Sequence, residues 1–122
     1  MTVQEGDYQS LSIHYLENSL HHLQAGEIAK AGEFLWGSVA TALKAVAARR
    51  DRGLRSHREL RAFARELARD SGQPDLWDKY LTAEHLHSNF YESFLEREDL
   101  DAIAEDLRPT VMVLLEMAAE GR

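Results

Sequence analysis

Apolar residues recur along this chain at the three- and four-residue spacing of a helix, in five successive segments. Tyr8, Leu11, Tyr15, Leu16, Leu20 and Leu23 predict a first helix from about Tyr8 to Ala25, after a flexible start at residues 1–7. Ser12 and Ser19 share its broad inner face, where small side chains permit close packing. Gly26 marks a turn. A second helix from about Glu27 to Arg50 follows, with Ile28, Leu35, Val39, Ala42, Leu43 and Val46 as its stripe. Trp36, with Gly32, Ala29, Ala40 and Ala47, forms a flatter flank. The short connection predicts that helices one and two run antiparallel.

Residues 51–55 form an Arg-rich loop. Ser56-His57-Arg58-Glu59 reads as a capping box, with Ser56 as the cap and Glu59 reaching back to the cap N–H. Leu60, Phe63, Ala64 and Leu67 give the third helix its core side, to about Asp70. Pro74 opens a fourth helix running to about Leu95, with Leu76, Ala83, Leu86, Phe90 and Phe94 facing inward. Asp99 is placed to cap a fifth helix carrying Leu100, Ile103, Leu107, Val111, Leu114, Leu115 and Ala118. Pro109 predicts a kink near residues 105–108. Met112, Val113 and Met117 lie off that stripe and either cover a subunit contact or broaden the core.

Composition agrees with an all-α chain: two Pro, and abundant Ala, Leu, Glu and Arg. The length of 122 residues suits one domain, 1–122. The absence of Cys excludes disulfides and thiolate metal sites. No signal-peptide pattern and no spanning apolar run are present, so a soluble, cytoplasmic protein with no membrane partner is expected. The net charge of −7 argues against a general nucleic-acid coat protein, but it is unevenly spread. Residues 49–69 hold eight Arg against three acids, a net of +5, which leaves −12 for the rest.

Candidate chemistry concentrates in three places. On helix one, His14, Glu17 and His21 share a face, either as part of a metal site or as a solvated face with Glu17 pairing His21. On helix three, Arg58, Arg61, Arg65 and Arg69 form a stripe, either suited to phosphates or an acidic partner or an ordinary solvated face balanced by acids elsewhere. On helix four, Tyr80, Glu84, His87 and Tyr91 make a polar-aromatic stripe beside the apolar one. His85 falls about 200° from His87, so the two cannot share a metal, and no helix-four zinc site is expected. The alternative is structural: His87 and Tyr91 buried and bonded to Glu84, with Asn89 and Glu92 bonding across the bundle or capping a helix end.

Three segments taken together carry a resemblance. They are Phe34-Leu35-Trp36-Gly37-Ser38 in helix two, Ser56-His57-Arg58-Glu59-Leu60, and Leu86-His87-Ser88-Asn89-Phe90-Tyr91-Glu92. Their order and spacing resemble the HEPN superfamily (higher eukaryotes and prokaryotes nucleotide-binding), and within it the small stand-alone PaREP group. The resemblance implies an antiparallel (up-and-down) bundle of four long helices plus a shorter one, often a homodimer. It also implies work beside a nucleotidyltransferase partner, or RNA cleavage. The RNA-cleaving members carry an Arg, four to six residues, then a His. Arg52 to His57 and Arg50 to His57 match that spacing, and Lys79 and His85 stand at the late position usual for it.

Three functions remain open. The first is a nucleotide- or RNA-binding module, with Arg52, Arg55, Arg58, Arg61 and Arg65 on phosphates and Tyr80, Glu84 and Asn89 beside them. The second is a metal-independent endoribonuclease of toxin type. There His57 or His87 acts as the base, Tyr91 stands nearby, and Arg52 or Arg58 stabilises charge. The third is an interaction module, one half of a toxin–antitoxin-like pair. None of the three calls for a cofactor.

Overall fold

The computed structural model describes residues 5–92 and 94–120; the side chains of residues 5, 6 and 90–92 are outside that description. The chain folds as α1 (Glu5–Gln24), α2 (Ile28–Arg49), α3 (His57–Asp70), α4 (Asp75–Glu92) and α5 (Arg97–Glu120). Every regular element among the described residues is a helix. None of these helices is long and apolar enough to cross a membrane.

The arrangement follows from α2. Its small and apolar residues run almost all the way round, and a helix of that kind is stable only when covered. α1, α3, α4 and α5 all pack against it. Val39, Leu43 and Val46 of α2 are fully buried with Phe63 and Leu67 of α3, Leu86 of α4, and Leu107, Val111 and Leu114 of α5. α1 meets α2 and α5 but reaches neither α3 nor α4. A strip of α2 between α1 and the α3–α4 pair is therefore left open.

The α1–α2 seam is polar at its centre. Ser12 Oγ donates to the Ser38 carbonyl at 2.7 Å, and Ser38 Oγ donates to the Ser12 carbonyl at 2.8 Å. Both serines are fully buried, and each hydroxyl satisfies itself on the facing backbone. Close approach also needs Gly37, because a Cβ there would lie 3.0 Å from Cδ2 of Tyr15. Gly26 (φ +80°) takes the left-handed conformation that ends α1.

Several details correct the expectations. α1 begins at Glu5, three residues before the expected Tyr8. Leu11 is 36% exposed, because the buried Ser12 and Ser19 centre the seam and turn Leu11 and Ile13 outward. Ser56 caps α3 by accepting the Glu59 N–H at 3.1 Å, but the Glu59 carboxylate reaches past the cap to the Arg55 N–H, at 2.6 Å. Asp99 does not cap α5. The helix starts two residues earlier, and Asp99 Oδ2 reaches back to the Glu96 N–H at 2.9 Å. Phe94 lies beyond the end of α4, so helical phase no longer turns it inward, and it is 42% exposed. Met117 joins the core, while Met112 is exposed.

Candidate functional site

Glu33 and Trp36 sit one turn apart on α2, at the edge of the open strip. Ser56 caps the start of α3, and the next residue, His57, lies flat on Trp36, with ring centroids 5.3 Å apart and planes within 9°. α4 crosses the same patch and supplies Tyr80, Glu84 and His87, one turn after another. The His87 ring lies 5.1 Å from His57 and 5.9 Å from Trp36. The Tyr80 ring meets Trp36 edge-on at 5.8 Å. Three helices thus place two imidazoles side by side on an indole.

Carboxylates bracket the pair. Glu33 accepts from His87 Nδ1 at 2.8 Å. With Nδ1 carrying that proton, Nε2 becomes the basic nitrogen of the ring. On the other side, Glu84 accepts from the Tyr80 hydroxyl at 2.9 Å and from the Arg61 guanidinium. Partial burial acts to raise the Glu84 carboxyl, but the Arg61 and Tyr80 hydrogen bonds and the nearby His57 outweigh it, and the net shift is downward. Burial, then the bond to Glu84, pushes the Tyr80 hydroxyl well above its ordinary range. Glu84 therefore stays ionised and Tyr80 stays a donor at neutral pH. Glu33 and His87 are each about a third exposed, so solvent reaches them. A pair of imidazoles can accept and deliver a proton at one phosphate.

A family model matches residues 7–111, well over half of the chain. The chain belongs to the archaeal PaREP1/PaREP8 family. The matched span contains every residue of the patch just described. No curated protein and no solved structure matches the PaREP1/PaREP8 chain.

Of the expected site residues of this PaREP1/PaREP8 protein, His57, His87, Tyr80, Glu84 and Arg61 come together. Tyr91 belongs to α4, but its side chain lies outside the described residues. Arg55 and Arg58 stand exposed at the start of α3, with no ion-pair partner among the described residues. Arg52 does not join His57. It pairs with Glu66 and lies 4.8 Å over the Phe63 ring, which ties the loop down. Arg50 also points to Phe63. Arg65 covers Trp77 at 4.5 Å, further along α3.

Asn89 is a correction. It is 1% exposed, and its Oδ1 accepts the N–H groups of Phe94 and Leu95 at 2.7 and 2.8 Å. An amide carbonyl that closes the end of α4 is not presented to a ligand. Lys79 pairs with Asp106, and His85 contacts the Phe94 ring at 4.8 Å, so the late Lys79–His85 spacing builds no site. On α1, His14 bonds Asn18 at 3.0 Å, and the expected Glu17–His21 pair gives way to a His22–Glu27 pair at 2.9 Å. Among the described residues no group of three His, Asp or Glu is arranged to hold a metal ion.

Sequence reasoning missed Glu33 and left Trp36 as a packing residue. A signal existed. Glu33 is the lone acid inside α2, one turn before a Trp. An acid in an Ala-rich central helix needs a partner, and here the partner is His87.

Proposed function

We propose that this protein is a single-stranded RNA-binding bundle of the HEPN type, with the His57–His87 patch as its phosphate site. The observation that carries the reading is the meeting of His57 and His87 at 5.1 Å, at the start of α3, where Arg55 and Arg58 stand exposed with no ion-pair partner among the described residues. A phosphate in front of the two rings would meet imidazole donors, and the exposed Arg55 and Arg58 on either side of His57 in the chain are the cations that would join it. The +5 segment supplies the long-range attraction that an acidic chain otherwise lacks. In this reading the bundle is antiparallel, which the facing of Ser12 to Ser38 and of His22 to Phe34 supports. It works as a cytoplasmic homodimer.

A second reading is favoured by the Glu33–His87 bond. A carboxylate-held imidazole next to another imidazole can serve as the base and acid of metal-independent RNA cleavage. His87 Nε2 takes the 2′-hydroxyl proton, and protonated His57 gives one to the leaving 5′-oxygen as the cyclic phosphate forms.

The test uses short single-stranded RNA at low salt with the intact protein and with His57→Ala, His87→Ala and Arg58→Ala. Binding that weakens with salt and falls in all three variants supports the binding module. Cleavage abolished in either His variant makes the protein an enzyme. RNA that neither binds nor is cut removes both readings.

A further inference from the structure

The open strip of α2 is the floor of a groove of about 390 Å³, walled on its far side by Tyr8 and Tyr15 of α1. Glu33 and Trp36 line this groove and also hold His87 and His57, so the groove and the imidazole pair are two parts of one surface. We propose that the groove is a nucleobase subsite, which takes the unstacked bases flanking the phosphate held by the imidazole pair. This rests on the RNA-binding reading above and names the part of the ligand that reading leaves unassigned.

Three observations support a base. The volume falls in the range of small-molecule clefts, about 300–1,000 Å³. The walls carry aromatic side chains, with Tyr8, Tyr15 and Phe34 only half-buried. Tyr15 is wedged between Phe34, at 5.8 Å, and the bare backbone of Gly37, so its ring is held without a ligand. Aromatic faces stack on any base, which fits a site with few directional hydrogen-bonding groups. Lys44 stands at the far end, with no carboxylate partner among the described residues. Eleven residues of helix separate it from Glu33, about 16 Å along the axis. A cation at that distance suits a second phosphate further along the same strand.

The experiment is binding of a hexa-adenylate RNA, followed by Trp36 fluorescence in a Trp77→Phe background, where Trp36 is the remaining indole. Stacking in the groove quenches Trp36, Tyr15→Leu weakens binding about fivefold or more, and Lys44→Ala lowers the salt dependence by about 0.7. Thermal melting of Tyr15→Leu checks its fold, and the surface variant Lys44→Ala gives an independent readout. Binding lost in His57→Ala but unchanged in both groove variants overturns the subsite and leaves the phosphate reading standing. No binding by the intact protein overturns both. If Tyr15→Leu turns a dimer into monomers with RNA affinity unchanged, the groove is a subunit contact and the proposal fails.

Discussion

Glu33 and His87 lie 54 residues apart in the chain and 2.8 Å apart in the fold. The bond joins the central helix to the helix that carries most of the candidate site. In the neutral ring it favours the proton on Nδ1 of His87, because an ionised carboxylate accepts and does not donate. Glu33→Gln keeps the shape and removes the obligatory acceptor. Nitrogen chemical shifts of His87 should show the Nδ1–H form losing its dominance. RNA binding or cleavage should fall about tenfold, in line with the loss of a group that orients a functional imidazole.

The Ser12–Ser38 pair makes a prediction about stability. Each hydroxyl is buried and donates to the opposite backbone. Ser12→Ala and Ser38→Ala should each cost about 1 kcal/mol in urea denaturation. The double variant should lose less than the sum by about 0.5 kcal/mol or more, because the two groups touch. Strict additivity would show that the two bonds act separately.

Asn89 predicts a larger effect. Its carbonyl satisfies two backbone N–H groups at the α4–α5 turn, with the side chain sealed from water. Asn89→Ala leaves both donors short of a partner and should destabilise by about 2 kcal/mol. Hydrogen exchange at the Phe94 and Leu95 amides should speed up more than exchange in α2. RNA affinity should change little once folding is accounted for.

The Glu84 cluster gives a pH dependence with a definite sign. Its carboxyl titrates below the ordinary value of 4.5 in the fold. The stabilisation is therefore present above pH 4.5 and is lost as pH falls through the lower, folded value. Arg61 is half exposed, so the effect should stay below about 1 kcal/mol. The stability gap between the natural protein and Glu84→Gln should narrow between pH 5 and pH 3. Tyr80 acts at the other end: its hydroxyl is raised above 10, so its contribution is present below pH 10 and declines above it. Tyr80→Phe should flatten that alkaline decline.

Local chemistry was legible from residue order. Helical spacing located all five helices to within a few residues, and Ser56 was readable as a cap. The apolar stripes of α3 and α5 are the buried ones. These features depend on neighbours within a turn or two, and 100° per residue carries that information. The stripe of Tyr80, Glu84 and His87 was readable for the same reason, as one face of one helix.

What periodicity does not carry is the identity of the facing helix. Leu11 and Ser12 are adjacent, and either could have centred the α1 seam; Ser12 did, because Ser38 lies opposite it. Asn89 was readable either as a ligand-binding residue or as a helix-end cap, and the fold turned it inward to close the α4 end. His57 and His87 were each visible as candidates, but their contact needs α3 and α4 to cross at Trp36. Residue order alone determined that five helices form, roughly where each begins, and which faces of α3 and α5 are apolar. The offsets between helices came from close packing of the whole core, a sum over contacts between distant segments that leaves no trace in any one of them.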